Sequence, residues 1–379
     1  MTINAKQNEG CATGERILGM DIGGAHIKYV LAEAARGQRL NLVEANSQTF
    51  ALWEAPEKLA TQLGDLLIAL TGAEESGESR LGIDRILVTM TGELCDCFSD
   101  RKAGVQFILQ AVEQAVDQFV SVVGEDRRPA VSVWQVEAGF VSIEDAREQP
   151  LTVASANWHA QACAVAKMFE NDHCVLIDVG STTTDITILA KGQPVLMGCN
   201  DFERMQSGAL VYTGAKRTPL MSFSKMMREE YWGIASECFA TMEDVNVLLG
   251  NMPERAGRES QAFDTCDGKP MTKQYAASRV LRMFGSDLSS HTVEDAKRMA
   301  KEFLLTQGRW IASEIDRVSS RCDVEMERIV VSGSGSFMAR TSAAVALPGK
   351  EIVSLDDYLS PQESESACAW AMVFLWSKQ

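Results

Sequence analysis

The chain has 379 residues, enough for two or three domains of ordinary size or one large two-lobed enzyme. Hydrophobic residues make up 46% and charged residues 23%, values that exclude collagen-like, fibrous and extensively disordered chains. With 36 Lys and Arg against 52 Asp and Glu, the formal charge of −16 repels nucleic acid and anionic membranes, so an anionic substrate needs a local cationic or metal-filled site.

The elements follow in chain order. Residues 1–14 are polar, lack the apolar stretch of a signal peptide and read as a flexible tail. A strand is expected at Arg16–Met20, then the turn Asp21-Ile22-Gly23-Gly24, then a second strand to Ala32 and a third near Leu40–Glu44. Leu59, Leu63, Leu66, Leu67 and Leu70 share one face of a helix over Glu57–Leu70. Asp84–Met90 reads as a buried strand. Ile108, Val112, Ala115, Phe119 and Val123 mark a helix stopped by Gly124, and Ala130–Val136 a further strand. A strand, turn and strand follow again around Asp178. A mixed region then runs to Gly285, a helix over Glu294–Val318, and a strand at Glu327–Ser332 leading into Gly333-Ser334-Gly335. Pro361 opens a terminal helix with Glu363 and Glu365 in its first turn, where acidic groups suit the helix dipole. The longest apolar run, Ala367–Trp376, is too short to span a bilayer. Ten cysteines and four histidines are scattered without a Cys-x-x-Cys pair. That pattern argues against zinc and for a reduced, cytoplasmic protein.

One internal repeat stands out. ILGMDIGGAHIKYVL and VLIDVGSTTTDITIL share an apolar strand, Asp-x-Gly, a small polar turn and a second strand. Asp21 matches Asp178, Gly23 matches Gly180 and Lys28 matches Asp185, each at an offset of 157. Two related lobes, each opening on a β-hairpin, account for it.

The turns carry the chemistry. A turn poor in side chains lets backbone N–H groups approach phosphate oxygens, and Gly23, Gly24, Gly180 and Ser181 supply such turns. Thr182 and Thr183 add hydroxyl donors. Asp21 and Asp178 close the strands that enter the turns, and two carboxylates flanking phosphates suit Mg²⁺. Lys28 supplies a point charge. The plain alternative for each Asp is a turn former or helix cap.

This combination resembles the actin, sugar-kinase and heat-shock-ATPase superfold. The resemblance implies an α/β protein of two lobes about a central cleft: a first lobe over 15–155, with the terminal helix 362–377 packing back on it, and a second over 156–361. Asp21-x-Gly23-Gly24 with Lys28 looks like the first phosphate loop, and Asp178–Asp185 like the second. Gly333 and Gly335 resemble the nucleotide-base loop, although family members usually carry adjacent glycines there.

A narrower resemblance is to the hydantoinase A/oxoprolinase-like proteins of the tetrahydromethanopterin-linked C1 pathway. Their archaeal members include a methanofuran-biosynthesis synthase that joins an aminomethylfuran to γ-glutamyltyramine. The matching stretches are Asp21–Lys28, Thr89–Phe98 (TMTGELCDCF), Ala156-Asn157-Trp158, Asp178–Ile186, Ser207–Pro219 (SGALVYTGAKRTP), Ser236–Gly250 (SECFATMEDVNVLLG) and Thr265–Gly268. The resemblance implies a transferase that displaces diphosphate from a furanylmethyl diphosphate with a tyramine-type phenol, forming an aryl ether with Mg²⁺ as cofactor. The leaving diphosphate needs a cation and N–H donors. The phenol, with a pKa of about 10, needs a base or a metal to become nucleophilic. Asp178, Asp185 and Lys28 are the expected catalytic residues, with Asp185 ahead of His26 as base. Trp158 is expected to stack on an aromatic substrate, the alternative being a core tryptophan, and Arg217 to bind an acidic group. Gly333 and Gly335 complete the substrate site. The expected partners are small-molecule diphosphate and phenol substrates, with no nucleic acid or membrane and self-association left open. Two rivals stand beside this reading: an ATP-dependent kinase or hydantoinase/oxoprolinase-type hydrolase, and a non-enzymatic actin-like sensor or assembly protein.

Overall fold

The computed structural model describes residues 14–34, 40–71, 82–227, 233–256 and 265–379. The expected tail lies outside them, Gly14 apart. Two units are distinguished: residues up to Ala164 together with Pro361–Gln379, and Val165–Ser360.

The first unit is built on a mixed sheet of strand order β3-β2-β1-β4-β5-β6. Its strands are β1 (Glu15–Ile22), β2 (His26–Ala34), β3 (Asn41–Thr49), β4 (Arg85–Met90), β5 (Ala130–Gln135) and β6 (Gly139–Val141). β1 pairs antiparallel with β2 and parallel with β4, which places it at the centre. That position explains its near-continuous apolar run, since a central strand is covered on both faces. Leu18, Met20 and Ile22 of β1 and Ile86, Val88 and Met90 of β4 join one core with α1 (Leu59–Ala69) and α2 (Arg101–Val123). α3 (Ile143–Glu148), α4 (Pro150–Val153) and α5 (Asn157–Met168) follow. α3 opens on a capping box in which the Ser142 hydroxyl accepts from the Asp145 N–H at 3.1 Å.

The second unit repeats the plan. Its strand order is β10-β8-β7-β11-β12, with β9 on β8. The strands are β7 (Cys174–Val179), β8 (Thr184–Ala190), β9 (Gln193–Val195), β10 (Leu210–Val211), β11 (Arg328–Ser332) and β12 (Glu351–Ser354). β7 pairs antiparallel with β8 and parallel with β11, as β1 does with β2 and β4. The helices are α6 (Asp201–Ser207), α7 (Met242–Leu249), α8 (Lys273–Arg282), α9 (Val293–Ser319) and α10 (Ser336–Ala346). Val175, Ile177 and Val179 share a core with Ile186, Ile188 and the α9 side chains Phe303, Ile311 and Ile315.

The mixed region up to Gly285 contains α7 and α8. They are tied by Arg279, which is fully buried. Its Nε donates to Asp244 Oδ1 at 2.6 Å and its Nη1 to Asp267 Oδ1 at 2.9 Å. Burial pushes the Asp244 carboxyl up to about 6, with the Arg279 guanidinium pulling the other way.

The last two helices, α11 (Pro361–Glu365) and α12 (Ala367–Ser377), belong to the first unit. α12 is apolar all round, the pattern of a helix buried on more than one side. It lies on β1, and its Trp376 Nε1 donates to Glu15 at 3.1 Å. No helix among the described residues is long and apolar enough to cross a membrane. The described cysteines are free thiols.

Candidate functional site

Both Asp-x-Gly segments form the turn of a β-hairpin, and the two turns are closed by the same hydrogen bond. Gly23 N–H donates to His26 C=O at 2.9 Å, and Gly180 N–H donates to Thr183 C=O at 2.9 Å. The cross-strand pairs match as well: Asp21 stands opposite Lys28, and Asp178 opposite Asp185. The repeat read in the sequence is therefore a repeat of backbone geometry, residue for residue.

In the first unit the β1–β2 turn is supported from two sides. Leu52 N–H donates to Gly24 C=O at 2.8 Å and Thr91 N–H to Ile22 C=O at 3.0 Å. Asp21 is only 7% exposed, and its Oδ1 has no hydrogen-bond partner among the described residues. Burial raises its carboxyl above the usual range, while Lys28 and a hydrogen bond with the Asn157 side chain act in the opposite direction. Asn157 opens α5. Trp158 beside it is buried and meets the His159 ring edge-on, with centroids 5.4 Å apart. Behind the turn, buried Glu93 accepts from the Ser155 hydroxyl at 2.7 Å and pairs with Arg101 at 3.6 Å.

In the second unit three segments converge on the β7–β8 turn. Asp178 Oδ1 accepts from the Ser332 hydroxyl at 2.7 Å, so the end of β11 fixes the carboxylate. Gly333 follows at φ +85°, a left-handed conformation that glycine adopts freely. A Cβ there would stand 2.5 Å from Asp178 Oδ1 and 2.4 Å from Val179 O. Gly335 N–H donates to Val179 C=O at 2.8 Å. The glycines read as a base loop are thus held against the second turn.

The VYTGAKRTP stretch supports the same turn. Ala215 N–H donates to Gly180 C=O at 2.9 Å, and the Lys216 and Arg217 N–H groups donate to Ser181 C=O at 3.0 and 2.9 Å. Gln307, buried in α9, fixes this segment through Thr213 Oγ1 at 2.7 Å and Gly214 C=O at 2.9 Å. The backbone approach at Gly214 leaves no room for a side chain: a Cβ would lie 2.6 Å from Thr182 N. Gly214→Ala should therefore displace the turn and destabilise the protein by about 1–3 kcal/mol, the usual cost of overpacking. Gly82→Ala, at a position with open space, serves as the control. Equal thermal midpoints for the two variants would refute this account.

Asp185 carries a salt bridge from Arg204 Nη1 at 2.8 Å, and Arg204 is itself buried and also donates to Ala209 C=O. Burial raises the Asp185 carboxyl, offset by Arg204. Ser181 and Thr182 hydroxyls stand 3.4 Å apart on the turn, Thr183 is half-buried, and Arg217 is exposed. Each unit thus gathers its own expected residues: Asp21, Gly23, Gly24, Lys28 and Trp158 in the first; Asp178, Gly180, Ser181, Thr182, Thr183, Asp185, Arg217, Gly333 and Gly335 in the second. Among the described residues no group of three or more His, Cys, Asp or Glu is arranged to hold a metal ion.

A hairpin-plus-parallel-strand sheet that occurs twice, each time with Asp-x-Gly at the hairpin turn, makes this a duplicated α/β fold, the arrangement expected of the actin-like superfold. The profile of the hydantoinase/oxoprolinase family matches residues 86–374, and the chain belongs to that family. It is 28% identical over 365 residues to the (4-{4-[2-(gamma-L-glutamylamino)ethyl]phenoxymethyl}furan-2-yl)methanamine synthase of Methanocaldococcus jannaschii, a match covering 96% of this chain and 98% of that protein. A protein of the same name from Methanococcus vannielii is 30% identical over 165 residues, 43% of this chain and 71% of that protein. Among solved structures, nucleotide-free acetone carboxylase aligns with 95% of this chain and 70% of its own at 10% identity and a TM-score of 0.49. At that global similarity nothing about this chain's chemistry follows from it.

Proposed function

We propose that the chain is a biosynthetic transferase that forms an aryl ether, displacing diphosphate from a furanylmethyl diphosphate with a tyramine-type phenol, in the assembly of a methanofuran-type C1 carrier. The observation that carries the proposal is similarity over 96% of the chain to a synthase whose named product contains a phenoxymethyl-furan linkage. That linkage is the bond the proposed displacement makes. The phenol oxygen forms the new C–O bond, the methylene–diphosphate bond breaks, and diphosphate leaves with the electron pair.

The turns suit the leaving group. Asp-x-Gly turns present backbone N–H groups to phosphate oxygens, and Thr182, Thr183 and Lys28 add donors. In this reading Asp21 and Asp178 hold Mg²⁺ at their respective turns. The fit rests on chemistry visible in the chain: Asp21 is a buried carboxylate with one oxygen unpartnered among the described residues, the donor a hard cation takes. When bound, Mg²⁺ would supply positive charge to the leaving diphosphate. Asp185, held by Arg204, is the proposed acceptor of the phenol proton. Trp158 and Arg217 are proposed to position the aromatic and acidic parts of the substrate.

Purified protein incubated with furanylmethyl diphosphate, a γ-glutamyltyramine-type phenol and Mg²⁺ should release diphosphate and yield the ether without ATP, and excess chelator should abolish both. The family match itself favours a second reading, ATP-dependent hydrolysis of a cyclic amide. ATP turnover with a cyclic amide, and no ether product, would replace the first reading by the second.

A further inference from the structure

Beside Asp21 the first unit holds a buried hydroxyl, that of Thr89, which the proposed roles leave unused. β1 and β4 run parallel, and Asp21 stands in register with Thr89. In-register residues on neighbouring strands point to the same face, and strands lie about 4.8 Å apart. Thr89 is fully buried and Asp21 only 7% exposed. Neither Asp21 Oδ1 nor Thr89 Oγ1 has a hydrogen-bond partner among the described residues, so the two are not bonded to each other.

A buried hydroxyl without a partner is unfavourable. The rest of β4 (RILVTM) is almost wholly apolar, and a valine would fill the same volume without that cost. The hydroxyl is therefore not explained by the core. Both atoms lie at the carboxyl ends of parallel strands, where open α/β sheets bind ligands. Asn157 supports Asp21 from α5, and Lys28 stands opposite it on β2. A carboxylate oxygen accepts only, whereas a hydroxyl both donates and accepts. A ligand that directs protons outward satisfies the two together, and a hydrated divalent cation is such a ligand.

We infer that Thr89 is a positioning residue: its hydroxyl, beside Asp21 Oδ1, takes the hydration shell of a divalent cation at the first turn. The inference rests on the metal–diphosphate reading above but is tested apart from turnover.

Mn²⁺ is the probe. Binding to the full chain is followed by the electron paramagnetic resonance signal of free Mn²⁺, with and without inorganic diphosphate. Thr89→Val should weaken Mn²⁺ binding at least about tenfold, or 1.4 kcal/mol, and Thr89→Ser should restore most of it. Thr89→Val should melt no lower than the parent, because it removes no hydrogen bond within the protein. If it does not fold, Thr89→Ala, which also lacks the hydroxyl, takes the same reading. Equal Mn²⁺ affinity in the parent and the hydroxyl-free variant would overturn the inference, as would a parent that binds no Mn²⁺. A chain that holds Mn²⁺ through Thr89 yet releases no diphosphate from furanylmethyl diphosphate would support the inference and overturn the reaction alone.

Discussion

Replacing Arg279 with leucine is expected to destabilise the second unit by about 3–5 kcal/mol, the range seen when one partner of a buried ion pair is removed. Arg279 and Asp244 are both almost wholly buried, and the guanidinium also binds Asp267 and the Met271 sulfur at 3.3 Å. The variant leaves the buried Asp244 carboxyl without the guanidinium that stabilises its charged form. The pH dependence follows from the sign of the shift. Burial already raises the folded Asp244 carboxyl from 3.8 to about 6, even with Arg279 pulling it down. Loss of Arg279 raises it further. A folded carboxyl that binds its proton more tightly than the unfolded one carries a cost that is complete above its folded pKa. That cost disappears as pH falls toward the unfolded value. Urea melts should therefore show the deficit of Arg279→Leu shrinking between about pH 8 and pH 5, and adding Asp244→Asn should recover part of it at pH 8. A deficit under about 1 kcal/mol at pH 8 would mean that the network contributes little.

What was legible in the sequence depended on whether its cause was local. The two hairpins were legible because strand, turn and strand are contiguous and recur at a fixed offset. The helix over Leu59–Ala69 and that over Val293–Ser319 were legible because their apolar residues repeat every three to four positions. β3 runs to Thr49, beyond the expected Glu44, because it is a largely exposed strand whose pairing with β2 fixes it more than its own pattern does. α5 and α7 gave no clear period, since nearly every position of each is at least partly buried.

The same limit applied to the candidate site. Asp178 and Asp21 were visible as turn residues, but their supports were not. Ser332 reaches Asp178 across 154 positions, and Gln307 reaches Thr213 across 94. No local signal marks either. Arg204, the partner of Asp185, lay after the second hairpin in a stretch with no element expected. Thr89 and Glu93 did carry a signal, since both fall in the TMTGELCDCF stretch. Nothing in that stretch said that its residues stand beside and behind the first turn. Glycine was the most informative residue type: Gly214 and Gly333 were noticed within motifs, and each is required by a backbone approach too close for a Cβ.

Asp178→Asn is expected to lower turnover by roughly 10²-fold, about 3 kcal/mol of transition-state stabilisation. The size follows from what the substitution keeps and what it removes. The asparagine oxygen can still accept from the Ser332 hydroxyl, which now meets the carboxylate at 2.7 Å. Gly333 and Gly335 keep their approach to the turn, so the backbone that would cradle a phosphate stays in place. Only the negative charge is lost, and in the proposed reaction that charge holds the cation at the second turn. Ser332→Ala makes the complementary test: it keeps the charge and releases its orientation. Its loss should be smaller than that of Asp178→Asn, and Mn²⁺ should still bind. Asp185→Asn should differ from both by lowering stability as well as rate, because it takes from the buried Arg204 the carboxylate charge it pairs with. Steady-state rates of diphosphate release, paired with thermal melts, separate the three outcomes. If Asp178→Asn folds and turns over within about threefold of the parent, Asp178 shapes the loop and does no more, and the charge that balances the leaving group must come from elsewhere in the chain.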